Sequence, residues 1–532
     1  MKKLLSIVCV LLLTFSLCVS AFAASKSGKC GENLFWTLDD DGRLTVSGEG
    51  QMHQYTPAPW IGAGEIRAVV IGEGVTSVAA NAFGSIPTLK SVSLADTVTD
   101  IGGSAFADCE ALEAVSFGSG LKNLGRAAFR GCSALKEAPL PEGLVGVGNH
   151  CFYQCGSLAR VDLPETLEEL GAFAFAECAS LKEAHVPAKI AAVPQYCFYG
   201  CEALSELTLP DGLTVIDAHA FRDCRELKEV SLPEGLQQIG NHAFYRCGKL
   251  EKADLPSALE SIGVYAFAEC ALLKSVHIPE KITTVPSYCF YGCAALDDLT
   301  LPEGLVEIGA HAFRGCAALK EVQFPNGLRS LGDHAFMECV LLEKADLPDS
   351  LNVLDGFAFY ECNQLRSIRV PGSVPEIGQF AFYNCYHADS LVIEEGVAEI
   401  GEGAFRNCVG ISSVEIPTSM KNIDDGAFYG CHTINDVKYE GTEEAWNAIA
   451  IGINNENLSP FRQPAFLLGD VDNDGSVLAE DARLALRAAV GLENYQPGTR
   501  PFLAADVNKD GTISAEDARL ILRAAVGLET LV

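Results

Sequence analysis

LSELTLPDGLTVIDAHAFRDCRE, residues 204–226, is followed at once by LKEVSLPEGLQQIGNHAFYRCGK, residues 227–249. The two stretches place Leu, Pro, Gly, Ala, Phe and Cys alike, 23 residues apart. Outward from this pair the register leucine keeps the same step from Leu89 to Leu365, with Ile66 before it and Ala388, Ile411 and Ile434 after it. Phe recurs sixteen times from Phe83 to Phe428, and Cys fifteen times from Cys109 to Cys431. A fixed period of this size predicts a solenoid. Within each unit the apolar residues at offsets 0, 3 and 5 suit a short strand, which a proline at offset 6 ends by removing a donor. A second extended piece (GLxxIG) follows, and then xxAFxxC, a tight or 3₁₀-like turn. One unit cannot bury its own apolar edge, but stacked parallel strands about 4.8 Å apart can, so sixteen coils predict a rod or arc of roughly 80 Å.

The pattern LxxVxLPxxLxxIGxxAFxxC resembles the BspA-like, Treponema pallidum type of leucine-rich repeat over residues 66–433. The resemblance implies a curved parallel-sheet solenoid of a kind found in surface and secreted proteins that bind other molecules. LFWTLDDDGRLTVSG (34–48) predicts a β-hairpin turning at Asp41-Gly42 that caps the first coil, and YEGTEEAWNAIAIG (439–452) breaks the pattern and is expected to cap the last. A longer period overlies the short one. The units starting at Leu181 and Leu273 agree at fifteen of 23 positions, as expected if a block of 92 residues was duplicated.

The chain opens with Lys2 and Lys3, an apolar run over 4–19 and Ala21-Phe22-Ala23, which together predict a secretory signal peptide over 1–23. No later stretch approaches the ~20 apolar residues of a membrane span, so no transmembrane anchor is expected after cleavage. The formal charge is −32, more negative still without the two leader lysines, which argues against a nucleic-acid partner because polyphosphate binding needs a basic patch. The remaining expected divisions are a cap over 24–65, the solenoid over 66–433, a cap and linker over 434–465, and a C-terminal module over 466–532.

The repeated cysteines predict a buried ladder of free thiols, since parallel Cβ vectors about 4.8 Å apart miss the roughly 3.8 Å that a disulfide needs. Cys151, Cys197 and Cys289 leave a local bridge open in three units. His219 with His242, and His311 with His334, share one offset in adjacent units; they are expected to stack one strand spacing apart as polar surface residues, lacking a third metal ligand. The residue after the repeated Phe is often Tyr or Arg, giving a stripe that includes Tyr153, Tyr199, Arg222, Tyr245, Tyr291 and Arg314. These types favour interface hot spots, so the stripe is a candidate contact for a glycan or protein ligand; the alternative is that Tyr covers the turn and Arg balances local acids. The acids recur unit after unit without a singular pair of the kind glycoside hydrolysis needs, and no catalytic motif stands out, so catalysis is not expected.

GDVDNDGSVLAEDARLALRAAVGLE (469–493) returns as ADVNKDGTISAEDARLILRAAVGLE (505–529). Asp470, Asp472, Asp474, Ser476 and Asp481 in the first copy, and Asp506, Asn508, Asp510, Thr512, Ser514 and Asp517 in the second, fall on the ligand positions of a twelve-residue calcium loop, with Gly475 and Gly511 at the sharp turn. Two Ca²⁺ ions are expected; the Leu478 side chain has no oxygen to offer, so the first loop either binds calcium more weakly or recruits a water. Each loop is followed by a helix with an apolar face (Ala482, Ala485, Leu486, Ala489, Val490; Ala518, Ile521, Leu522, Ala525, Val526) and is not expected to be preceded by one. Asp in place of Glu at the twelfth position and the symmetry of the copies resemble a type I dockerin, a small all-α calcium-binding module of paired loop-helix, EF-hand-like motifs that plugs into cohesin domains. The resemblance implies that cohesin is gripped by Ala479, Glu480, Leu486 and Arg487, or equally by Ala515, Glu516, Leu522 and Arg523, in two orientations related by a half-turn.

The function expected is that of an exported, non-catalytic binding protein, its solenoid presenting a recognition surface and its dockerin fixing it to a cohesin on a scaffoldin or cell surface. The alternatives are an adhesin for host or plant-fibre surfaces and, third, a carbohydrate-active enzyme.

Overall fold

The computed structural model describes residues 26–460, 467–472, 475–496 and 499–531. The signal peptide expected over 1–23 and the loop residue Asp474 lie outside them. Contacts divide the chain into two compact units, Met1–Asn457 and Leu458–Val532.

In the first unit every coil contributes two short strands, and most of them pair in parallel with the one 23 residues on, in ladders interrupted at several coils. Ser91–Leu94 lies against Ala114–Ser116 with Val92 opposite Val115, and Asp100–Ile101 lies against Asn123–Leu124 with Ile101 opposite Leu124. This is a parallel-strand β-solenoid of leucine-rich repeat type. Its first coil is covered by β1 (Ser27–Lys29), β2 (Gly31–Leu38) and β3 (Arg43–Met52), which run antiparallel, while β3 also pairs in parallel with Ala68–Ile71 and so passes from cap to repeat. At the far end helix α1 (Glu443–Asn447) buries Trp446, and Ala450–Ile451 adds a last strand beside Asn422–Ile423.

Burial follows the period. The register leucines from Leu89 to Leu365, the repeated Phe and the repeated Cys are all buried. The sixteen phenylalanines form one continuous stack with ring centroids 5.2–5.6 Å apart, an offset-parallel arrangement favourable to aromatic rings. The thiols are free, Cys151, Cys197 and Cys289 included. They do more than fill space, however. Each of the fifteen ladder thiols donates to the carbonyl of the Phe 26 residues earlier, at 3.0–3.5 Å. The ladder thus adds a hydrogen bond to a buried carbonyl in each coil, most of which already accept from the amide three residues on, and it clips one coil to the next.

A second aromatic ladder corrects the expectation for the histidines. His150, Phe173, Tyr196, His219, His242, Tyr265, Tyr288, His311, His334, Phe357 and Phe380 stack in unbroken sequence with centroids 4.3–5.1 Å apart. His219 with His242 and His311 with His334 stack as expected, but as half-buried members of this longer column rather than as surface pairs. All eleven residues have φ between 53° and 59°, the left-handed region, which costs a residue with a side chain roughly 1–2 kcal/mol. Stacking of their rings offsets that strain. The column ends at Gly403, where φ is 60° and a Cβ would lie 2.4 Å from the Phe380 ring.

The second unit contains α2 (Ala479–Ala489), α3 (Arg500–Ala505) and α4 (Ala515–Ala525). Helix α3 was not expected. It leads directly into the second loop, started by a proline in its first turn, and buries Phe502, Ala504 and Ala505. Six residues are too few to show a helical period, and tertiary packing supplies what propensity does not. The core is Val471, Ala482, Ala485, Ala504, Ala505, Val507, Ala518 and Ile521. Leu486 and Leu522, placed on the apolar faces above, are each 46% exposed, and Val490 and Val526 are more so. The buried stripe is therefore narrower than the sequence pattern, because small residues let α2 and α4 approach and leave the leucines outside.

Candidate functional site

The two loops are built alike. In the first, Asp481 is fully buried at the N-terminus of α2, and its carboxylate accepts from the amides of Val471 (2.8 Å), Asp472 (3.2 Å) and Leu478 (2.7 Å). Asp470, also buried, accepts from the Gly475 amide at 3.1 Å. These bonds fold the loop back on itself, and they bring carboxylate oxygens of Asp470, Asp472 and Asp481 within 4.8 Å of one another. In the second loop Asp517 accepts from the amides of Asn508 (3.2 Å) and Ser514 (2.8 Å), and Asp506 accepts from Asp510 (3.1 Å) and Gly511 (2.9 Å). Asn508 and Thr512 are both hydrogen-bonded to Asp510. Ser514 caps α4 through the Glu516 amide, and Leu478, at the same place before α2, makes no side-chain cap.

Outside the loops the copies also correspond. Glu480 pairs with Arg483 and Glu516 with Arg519, while Arg487 reaches Glu493 at 2.8 Å and Arg523 reaches Glu529 at 3.0 Å. Beside these ion pairs stand the exposed Leu486 and Leu522, with Leu492 (64%) and Leu528 (69%). Each copy therefore presents an apolar patch rimmed by an arginine.

In the solenoid the Tyr/Arg positions form a half-buried row beside the second aromatic ladder. The Arg222 guanidinium lies over the rings of both Tyr199 (5.6 Å) and Tyr245 (5.0 Å), and that of Arg314 lies 5.8 Å from the Tyr291 centroid. Tyr153 and Tyr245 donate to Glu177 (3.0 Å) and Glu269 (2.8 Å), and Arg314 pairs with Glu338 at 3.2 Å. Burial, then the neighbouring carboxylate, holds both tyrosine hydroxyls above their ordinary pKa. The acids that anchor the row lie 24 residues after their partners, one coil and one residue on.

Residues 76–205, 191–320, 283–409 and 353–447 match the family described as the BspA type leucine rich repeat region. The chain belongs to that BspA type family. Residues 468–524 of this BspA type chain match a second description, the dockerin type I domain. Among solved structures, a leucine-rich repeat protein from Bacteroides ovatus is similar over 77% of this chain and 99% of its own, at 23% identity and a TM-score of 0.47. A leucine rich repeat protein of T. pallidum shares 28% identity over 38% of this chain and 91% of its own, with a TM-score of 0.31. A leucine rich cell surface protein of Faecalibacterium prausnitzii shares 21% over 79% and 96%, with a TM-score of 0.34. No curated protein matches the chain.

Dockerin type I domains are calcium-binding, and the donor set of this BspA type chain fits that metal. Its first loop brings carboxylate oxygens of Asp470, Asp472 and Asp481 within 4.8 Å of one another, and oxygens are the ligands a hard cation takes. Among the described residues no helix is long and apolar enough to cross a membrane.

Proposed function

We propose that this protein is an exported, non-catalytic binding protein whose solenoid presents a recognition surface and whose dockerin domain, loaded with two Ca²⁺ ions, tethers it to a cohesin on a scaffoldin or cell surface. The observation that carries this function is the duplicated patch. Leu486 beside Arg487 and Leu522 beside Arg523 are equally exposed on equivalent helices, each next to a loop that collects oxygen ligands. Ala479 with Glu480, and Ala515 with Glu516, start those helices and complete the two cohesin-binding faces. Calcium shapes the loops, the loops fix where the helices begin, and the helices present the apolar contact. The row containing Tyr153, Tyr199, Arg222, Tyr245, Tyr291 and Arg314 is the proposed contact for a glycan or protein ligand: its rings and guanidinium groups are held rigidly by one another, so little conformational entropy is lost on binding.

The test is capture of the full chain on immobilised type I cohesins with calcium or with chelator. Capture with calcium and release by chelator are expected. Arg487→Ala or Arg523→Ala alone is expected to spare binding, whereas the double variant loses it. Calcium-independent capture, or loss from one single variant, contradicts the proposal.

A further inference from the structure

The duplicated block provides an internal comparison. His219 and His242 in one copy correspond to His311 and His334 in the other, 92 residues later. Both pairs stack, at 4.6 Å and 4.4 Å. They differ in what stands beside them. Asn241, preceding His242, spends its side-chain oxygen on the amide of Val264 at 2.9 Å, as Asn149 does for Ala172. Its counterpart is Asp333, whose carboxylate instead meets Nδ1 of His334 at 2.6 Å. Ligand atoms of His311, Asp333 and His334 all lie within 4.8 Å of one another, and each residue is half-buried. Gly263 is likewise replaced, by Asp355, and Asp333 and Asp355 line one groove of about 630 Å³.

We infer that His311, Asp333 and His334 form a site for a divalent transition-metal ion of the zinc class, with its remaining coordination open to the groove. Two imidazoles and one carboxylate are a borderline donor set, suited to Zn²⁺, Co²⁺ or Cu²⁺ and poorly suited to calcium, so this site is chemically separate from the terminal loops. His311 Nδ1 is buried without a hydrogen-bond partner. His150 and His242 share that feature, so Asp333 is what distinguishes this pair. The imidazole planes are 21° from parallel and must splay further for both nitrogens to reach one ion. Arg314, the nearby cation, is paired with Glu338, which offsets its repulsion of a metal.

The experiment uses the full, tag-free chain, stripped of transition metals and kept in excess Ca²⁺ so that the terminal loops are filled. Titration with Zn²⁺ by calorimetry, and with Co²⁺ by its visible absorption, is expected to show uptake of one ion per chain. Asp333→Asn, which restores the residue that the first copy carries, and His311→Gln are each expected to weaken binding about tenfold or more. His219→Gln is expected to leave it unchanged. Circular dichroism checks folding, and Asp333→Asn, nearly isosteric, decides the matter if His311→Gln unfolds. No uptake, wild-type affinity in Asp333→Asn, or an equal loss in His219→Gln overturns the site.

Discussion

Trp60 lies flat on Phe83, with ring centroids 4.7 Å apart and planes 9° from parallel, while its indole N–H donates to the carbonyl of Ala82 at 2.9 Å. It precedes Phe83 by 23 residues and so occupies the Phe position of a coil that has lost the rest of its signature. The cap thereby continues the aromatic core as well as covering it. Trp60→Ala is expected to cost about 3–5 kcal/mol, as other large-to-small core changes do. Because coils interact with their nearest neighbours, the loss belongs mainly to the cap and first coils. Hydrogen exchange should show it over residues 26–106 with little change beyond 300; a uniform change contradicts this.

The thiol ladder predicts sensitivity to alkali. Burial pushes the Cys293 and Cys339 thiols from 9.0 up to about 12. The neutral form is favoured when folded, so its contribution is full below pH 9 and is lost between about pH 9 and 12, at about 1.4 kcal/mol per pH unit for each such thiol. Unfolding on raising the pH through that window is expected, with thiol reagents reacting only as it occurs. Replacing a run of ladder cysteines by Ala should shift the transition to higher pH, although each replacement also removes a hydrogen bond to a Phe carbonyl. An unshifted transition would separate alkaline stability from the thiols.

The second ladder predicts the opposite slope in acid. Burial, with His242 and Arg222 adding repulsion, lowers the His219 pKa from 6.5 to about 4. A depressed histidine contributes stability above pH 6.5 that is lost as the pH falls toward 4. His219 stacks between Tyr196 and His242. His219→Tyr, repeating the ring type already at 196, is therefore expected to keep the stack and flatten the decline of Tm between pH 6.5 and 4. An unchanged slope would assign the acid branch to carboxylates.

Calcium removal should act on the second unit alone. Chelator is expected to abolish exchange protection over 479–489 and 515–525 while the solenoid stays protected, since so small a core depends on metal for its folding free energy. Asp481→Ala removes the acceptor of three amides and should do the same to α2 with calcium present. Retained protection in either case would mean that the helices stand without the ion.

The stripe is tested by Tyr199→Ser, Tyr245→Ser and Tyr291→Ser together. Ligand capture on a glycan and protein array is expected to disappear while the coil period and the Phe stack persist in the far-ultraviolet and near-ultraviolet spectra. Arg222 loses both its rings in this variant, so a fall in Tm of a few degrees is expected as well. Loss of stability without loss of capture would leave the row a packing device.

From the residues alone follow the period, both strands of each coil, the buried leucine, Phe and Cys, and the loops that collect oxygen. In a parallel solenoid the spatial neighbours of residue i are i − 23 and i + 23, so tertiary contact is written as sequence periodicity. Direction was not written there. That His150 to Phe380 form one column required the left-handed turn geometry, which aims eleven different rings along one line. That Asp333 faces an imidazole while Asn241 faces an amide, that Leu486 lies outside a core that Ala485 enters, and that six residues before Asp506 become a helix were likewise decided only by the packed chain, because each depends on where a neighbouring backbone leaves room.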